Sequence, residues 1–163
     1  MSCRIFLHGL DSSSRGTKGR YFKEKFPGML VPDFSGGLQE RMEKLYDILS
    51  DKSEITLVGS SYGGLMASIL TLEHSSRVKG LTLLAPAINL DEFNKYRNLT
   101  TVVPTTIYHG TEDRVIPIVP VYEQAKKCFK NLTFHRVDDD HLLHRTFKTI
   151  DWPAIFNQLH VKQ

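Results

Sequence analysis

The sequence predicts a three-layer α/β fold, with a mostly parallel sheet of about six strands and helices on both faces, in a single domain spanning residues 1–163. Two observations carry this expectation. Short β-branched or apolar runs alternate with longer segments of helical period, and no repeat, low-complexity tract or linker interrupts them. The short runs are apolar on both faces and most are followed by a helix, as in parallel sheets covered on both sides.

In chain order, the predicted strands are Arg4–Leu7, Met29–Val31, Ile55–Val58, Gly80–Leu84, Thr105–His109 and Leu132–Val137. Helices are predicted over Lys18–Phe26, Leu38–Ser50, Tyr62–Glu73, Val119–Lys130 and His141–Gln163. The second helix shows its period plainly. Leu38, Met42, Leu45, Tyr46, Ile48 and Leu49 are apolar among Glu40, Arg41, Glu43, Lys44 and Asp47. The last helix is expected to break near Asp151-Trp152-Pro153, because proline cannot continue the backbone ladder.

Composition removes several classes. With 40% hydrophobic and 24% charged residues the chain is neither disordered, collagen-like nor a disulfide scaffold. The net charge of +3 comes from 21 basic and 18 acidic side chains spread along the length. A nucleic-acid binder of this size concentrates positive charge on one face, so no nucleic-acid partner is expected. Cys3 and Cys128 lie 125 positions apart, which fits reduced thiols rather than a disulfide or metal framework. Ile5-Phe6-Leu7 is too short for the apolar region of a signal peptide, and no run approaches the roughly 18 residues of a membrane span. The Asn98-Leu99-Thr100 and Asn131-Leu132-Thr133 triplets are therefore taken as chance, and the expected location is cytoplasmic. Protein partners are left open.

In parallel α/β sheets ligands bind beyond the carboxyl ends of the strands, so the loops after Leu7, Val58, Leu84, His109 and Val137 are where chemistry is sought. After the third predicted strand, Gly59-Ser60-Ser61-Tyr62-Gly63-Gly64 leads directly into a helix. This is G-x-S-x-G in the strand–turn–helix context that makes Ser61 a nucleophile at a sharp turn. Gly59 and Gly63 carry no Cβ, so neighbouring backbone can approach closely. Ser60 fails the register, having Val58 two positions before it.

A serine hydroxyl needs a base, itself oriented by a third group, and in this architecture the chain order is Ser, Asp or Glu, then His. The loop Gly110-Thr111-Glu112-Asp113-Arg114-Val115-Ile116-Pro117 offers the acid, with Asp113 preferred and Glu112 its neighbour. The alternative is that both acids solvate a turn and pair with Arg114. The base is sought in Asp138-Asp139-Asp140-His141-Leu142-Leu143-His144. His141, at the loop–helix junction, is preferred over His144, one helical turn further on. The acidic run Asp138–Asp140 also suits a helix cap. A His-x-x-His metal site lacks further spaced ligands, so no metal and no cofactor are expected. An oxyanion needs backbone donors, for which the amides of Leu10 and Tyr62 are the candidates. His8 is assigned no proton-transfer role. A phosphate-binding loop is excluded by register, since Gly16 is followed by Thr17 before Lys18 and Gly9 lies seven residues earlier.

Together these residues resemble the α/β-hydrolase superfamily, most closely small YqiA-type bacterial esterases and, more loosely, ABHD-type esterases and thioesterases. The likeness runs through Leu7-His8-Gly9-Leu10-Asp11-Ser12-Ser13 and on to Lys18. Val58-Gly59-Ser60-Ser61-Tyr62-Gly63-Gly64 is similar to that group's V-G-S-S-x-G-G. Gly110 to Pro117 fits the superfamily's G-x-x-D-x-V-[IV]-P, with Asp113 at the acid position, and Asp140-His141-Leu142-Leu143 fits D-H-x-L. The resemblance implies an α/β-hydrolase fold and a serine hydrolase, of carboxylesterase or thioesterase type, acting on a small-molecule acyl ester or thioester through Ser61, His141 and Asp113. A non-catalytic ligand-binding module on the same fold is the alternative.

The chain departs from the family by starting at what would be its third strand. Only some twenty residues separate Leu84 from Thr105, where caps are usually inserted. No cap domain is therefore expected, and an open site favours small or exposed acyl groups. Leu10, Tyr62, Ile88, Leu90, Val115 and Leu142 are the expected walls of a largely apolar pocket. Arg15 and Lys18 either draw an acidic group to its mouth or solvate their own loop.

Overall fold

Alternation of buried side chains along the strands sorts the molecule into layers. The computed structural model describes residues 2–158. Five parallel strands, β1 (Ser2–Leu7), β2 (Glu54–Ser60), β3 (Val78–Leu84), β4 (Thr105–Gly110) and β5 (Leu132–Val137), lie side by side in chain order. Ile5, Leu7, Ile55, Leu57, Leu81, Leu83 and Ile107 point to one face. There they meet α2 (Leu38–Ile48), α3 (Tyr62–Glu73) and α4 (Ile118–Cys128). Phe6, Val58 and Leu84 point to the other, against α1 (Thr17–Lys25) and α5 (Trp152–Gln158). This is the expected three-layer arrangement, with a stretch of 3-10 helix (Asp91–Tyr96) and no cap domain between β3 and β4. No helix among the described residues is long and apolar enough to cross a membrane.

Two expectations are corrected. The sixth strand, Met29–Val31, shrinks to one bridge, in which Leu30 pairs with Ile5 outside β1. Its hydrogen bonds, Phe6 N–H to Leu30 O at 2.9 Å and Leu30 N–H to Arg4 O at 2.8 Å, mark the limit of the pairing. Pro27-Gly28 before it and Pro32 after it leave no room for more, because proline has no N–H for the ladder. The expected helix from His141 is also absent up to Ile150. Turns and a 3-10 helix (Phe147–Thr149) occupy that stretch, and α5 begins at Trp152. Pro153 stands in the first turn of α5, where its missing N–H costs nothing, so it starts the helix instead of breaking it. Residues 159–163 of that expected helix lie outside the described residues.

The bridge has a topological consequence. From β1 the chain crosses by α1 to the outer edge at Leu30, then returns by α2 on the opposite face to β2. Successive connections thus leave β1 and β2 in opposite directions, which opens a crevice at their carboxyl ends. The loop carrying Leu10 and the turn carrying Ser61 both lie there.

The smaller face is held by an aromatic cluster. Trp152 is fully buried, with its ring 4.9 Å from Phe22, 5.6 Å from Phe147 and 6.0 Å from Phe156. Trp152→Ala is expected to lower the unfolding free energy by about 3–5 kcal/mol, read as a drop in the urea midpoint.

Candidate active site

Ser61 occupies a backbone conformation that an L-residue rarely adopts, φ 55° and ψ −114°. Such strain costs on the order of 1–3 kcal/mol and persists only where the surroundings impose it. Here they do. Ser61 N–H donates to Leu84 O at 2.9 Å, and Ser61 O accepts from Ala87 N–H at 2.9 Å as well as from Gly64 and Leu65. The turn is thus clamped to the end of β3 while α3 starts from it. A Cβ on Gly63 would lie 2.0 Å from Leu7 O, and one on Gly59 would lie 2.5 Å from Gly63 O. Both glycines of the motif are therefore required by close approach of backbone.

The three sequence-predicted polar residues meet. His141 Nε2 is 3.1 Å from Ser61 Oγ, and His141 Nδ1 is 2.7 Å from Asp113 Oδ2. With a carboxylate at Nδ1, the proton is assigned there, which leaves the Nε2 lone pair for the serine hydroxyl. The Asp113 carboxylate is almost fully buried and does not solvate its turn as the alternative reading had it. Its Oδ1 accepts the amides of Val115 at 2.9 Å and Ile116 at 2.8 Å. Glu112 is exposed, and His144 turns outward to Asp140, with Nδ1 2.7 Å from Oδ2.

The acidic run before His141 does more than sequence suggests. Asp139 is 4% exposed and its carboxylate accepts the amides of Asp140 (2.8 Å), Arg145 (3.0 Å) and Thr146 (2.7 Å). These captured amides are why no helix forms from His141. Burial pushes the Asp139 carboxyl upward, but the N–H donors of Thr146, Asp140 and Arg145 outweigh it and hold the group below the usual carboxylate range. From the other side, Lys18 Nζ donates to Leu142 O at 2.8 Å and lies over the Phe147 ring. Lys18 is thus neither a free cation at the mouth nor a solvating group; burial lowers its pKa against the pull of Asp140 and Asp139. Arg15 is exposed.

The loop after β1 is fastened in the same manner. His8 is buried; its Nδ1 donates to Gly9 O at 2.7 Å and its Nε2 accepts Phe34 N–H at 2.9 Å. With both nitrogens engaged, the ring anchors the loop. In a trans peptide the N–H lies opposite the carbonyl. Fixing Gly9 O toward His8 therefore turns the Leu10 N–H the other way. A Cβ on Gly9 would lie 3.4 Å from Ser61 Cβ, so this loop crosses directly beside the nucleophile candidate. Tyr62 opens α3, where a first-turn N–H has no partner within the helix.

Beside His141 lies a cavity of about 360 Å³, lined by Glu112, Arg114, Val115, Asp140, His141 and Leu142. Val115 and Leu142 are thus wall residues as expected, while Ile88 and Tyr62 belong to the main core and Leu90 packs against it. Leu10, Val115 and Leu142 are 53%, 67% and 54% exposed; Val115 and Leu142 give the cavity an apolar rim, and Leu10 follows Gly9 on the loop beside Ser61. Sequence reading missed Asp139 as the organiser of its loop and gave no role to His109, whose ring lies against Asp113. The tract of three aspartates was the available signal for the first; the second had none beyond its place before Gly110.

Asp139→Ala is expected to cost about 2 kcal/mol, since it strands buried amide donors. The wild-type carboxylate is bound more tightly than in the unfolded chain, whose pKa is about 3.9, so its contribution is present above that pH and fades as pH falls below it. Urea unfolding at neutral pH and at successively lower pH should show the gap between variant and wild type closing.

The family model described as alpha/beta hydrolase fold matches residues 8–101, more than half of the chain. A search of curated protein sequences gives no match. Among solved structures the chain is similar to alpha/beta hydrolase domain-containing protein 10 from mouse, at 17% identity and TM-score 0.78, covering 96% of this chain and 88% of that one. It is also similar to Est1E from Butyrivibrio proteoclasticus, at 16% identity and TM-score 0.77, covering 99% and 88%. An esterase from Pyrococcus furiosus is similar at 20% identity and TM-score 0.74, covering 97% and 81%. At these identities the likeness is one of fold. The match over residues 8–101, with the five-stranded parallel sheet and its flanking helices, makes the chain a member of the alpha/beta hydrolase family.

Proposed function

We propose that the protein is a serine hydrolase that cleaves carboxylic esters or thioesters through an acyl-enzyme intermediate. The observation that carries this reading is the unbroken relay from Ser61 Oγ to His141 Nε2 (3.1 Å) and from His141 Nδ1 to Asp113 Oδ2 (2.7 Å), at a strained turn on a hydrolase fold. Ser61 Oγ attacks the acyl carbon while its proton passes to His141 Nε2. The tetrahedral oxyanion is held by the Tyr62 and Leu10 amides, each such donor contributing on the order of 3 kcal/mol to the barrier reduction. Collapse expels the alcohol or thiol, which takes the proton from His141. Water, deprotonated by the same ring, then releases the acid and restores Ser61. Asp113 keeps the proton on Nδ1 and stabilises the imidazolium; it remains a carboxylate throughout. No step requires a metal or cofactor.

The apolar rim supports apolar acyl groups lying at the surface, and the absence of an inserted cap between β3 and β4 supports access from outside. Ester and thioester are served equally by this chemistry.

Labelling with a fluorophosphonate probe, followed by peptide mapping, tests the nucleophile. A single adduct on Ser61 is expected, lost in Ser61→Ala without change in the thermal midpoint. His141→Ala should slow labelling by about 10³-fold. Folded wild-type protein that takes no adduct would favour the non-catalytic ligand-binding module. Val115→Ser and Leu142→Ser, assayed over a series of 4-nitrophenyl esters, should raise KM increasingly with acyl length while leaving kcat for the acetate near wild type.

A further inference from the structure

His109 has no part in the cycle proposed above, yet its ring is built into it. It lies near the carboxyl end of β4, is fully buried, and places Nε2 2.8 Å from Ile116 O and 3.2 Å from Asp113 Oδ2. That carboxylate oxygen is the one that accepts His141 Nδ1 at 2.7 Å. The His109 ring thus hydrogen-bonds the Ile116 carbonyl and lies beside the Asp113 oxygen that accepts from His141. The other nitrogen of His109, Nδ1, is buried without a hydrogen-bond partner. Facing two oxygens, Nε2 carries the proton; a second proton on Nδ1 would have no acceptor. Burial favours the same neutral form, against the opposing pull of the Ile116 carbonyl and the Asp113 charge.

We propose that His109 is a positioning residue for the triad acid, rather than a core side chain that happens to be polar. Its Nε2–H ties the Ile116 carbonyl back to β4, closing the turn that carries Asp113, and the positive edge of its ring lies against Oδ2. An apolar side chain would fill the space without an orphaned nitrogen but would strand the Ile116 carbonyl, and buried polar groups left unpaired cost free energy. The inference rests on reading Ser61, His141 and Asp113 as a catalytic relay.

The consequence is electrostatic as well as steric. Without the His109 ring, Oδ2 keeps its hydrogen bond from His141 but loses the N–H dipole beside it, and so holds the protonated imidazole more tightly. The remaining charged groups facing His141 are Glu112, Arg114 and Asp140 around the cavity, Asp139 under its loop and Lys18 at the Leu142 carbonyl, with His144 bound to Asp140 outside them. They stay in place in a His109 variant, so a shift in the pH profile reports on the Asp113 contact.

The test is the rate of fluorophosphonate labelling at Ser61 as a function of pH. In His109→Phe and His109→Asn the acid limb should move up by about one pH unit. The plateau should fall, by up to about a hundredfold if the acid is displaced. The shorter Asn amide stops short of the Ile116 carbonyl, so it serves should the Phe variant fail to fold. His109→Gln, whose carboxamide N–H reaches toward the Nε2 position, should restore both limb and plateau toward wild type. An unchanged acid limb in folded His109→Phe or His109→Asn overturns the proposal, as does a Gln variant no better than Asn. On the wild-type protein, ¹⁵N NMR should show His109 protonated at Nε2 alone, and a ring protonated at Nδ1 overturns it without any variant. Wild-type protein that labels at Ser61 while the variants match it refutes only the role of His109. Folded wild-type protein that never labels removes the hydrolase reading and this one with it.

Discussion

The clamp on Ser61 is the constraint from which the site follows. A residue at φ 55° cannot hold itself there, and the peptide N–H and C=O of Ser61 are both committed to β3 and the segment after it, through Leu84 and Ala87. This arrangement needs β2 and β3 in register to their last residues, Ser60 opposite Leu84. It also needs α3 to start against β1 at the distance that Gly63 permits. Strain in the turn is thus balanced by sheet pairing and by packing on the α2–α4 face, and the hydroxyl is presented above the strand ends as a by-product of that balance.

Around the clamp, each loop that contributes to the site is fastened by polar side chains, buried at His8, Asp139 and His109 and exposed at Asp33. His8 joins the loop after β1 to Phe34. Asp33 adds a second fastening by accepting both the amide (2.7 Å) and the hydroxyl (3.0 Å) of Ser14, and these bonds hold its carboxyl below the usual range. Asp139 gathers the amides of the His141 loop, and His109 closes the turn of Asp113. Backbone in these loops has no sheet or helix ladder to satisfy it, so side-chain acceptors and donors take that place. The candidate site is held in place by these bonds, while the apolar side chains of the same loops, Leu10, Val115 and Leu142, remain at the surface.

Much of this was legible in the chain. The five main strands were located because their apolar runs are bounded by turn residues, and α3 was located to the residue because the glycine-rich turn precedes an unbroken apolar helix. Ser61, Asp113 and His141 were singled out by register with a family pattern, and the structure brings them within hydrogen-bonding distance. The errors have physical causes. Met29–Val31 has strand composition, but prolines on either side confine it to one bridge. The segment from His141 reads as helix by composition, but Asp139 captures the amides that a helix would use. Ile88, an expected pocket wall, is fully buried in the main core instead, where burial of its side chain is more favourable. Arg41, placed with the polar face of its helix, is buried, with its Nε donating to Gly36 O at 2.9 Å and its guanidinium over the Tyr62 ring.

By itself the sequence determined the layer order, the strand-turn-helix element and the residue types at the candidate site, because these depend on local periodicity, on glycine and proline, and on spacing along the chain. Tertiary structure alone decided which of two acids is buried and which of two histidines faces inward. It also decided that His109 meets Asp113, and that Lys18 ends on a carbonyl instead of in solvent. Those choices depend on how loops from different strands converge in space. No period or motif along a chain encodes the distance between two side chains 28 positions apart, such as Asp113 and His141, until the sheet has placed them side by side.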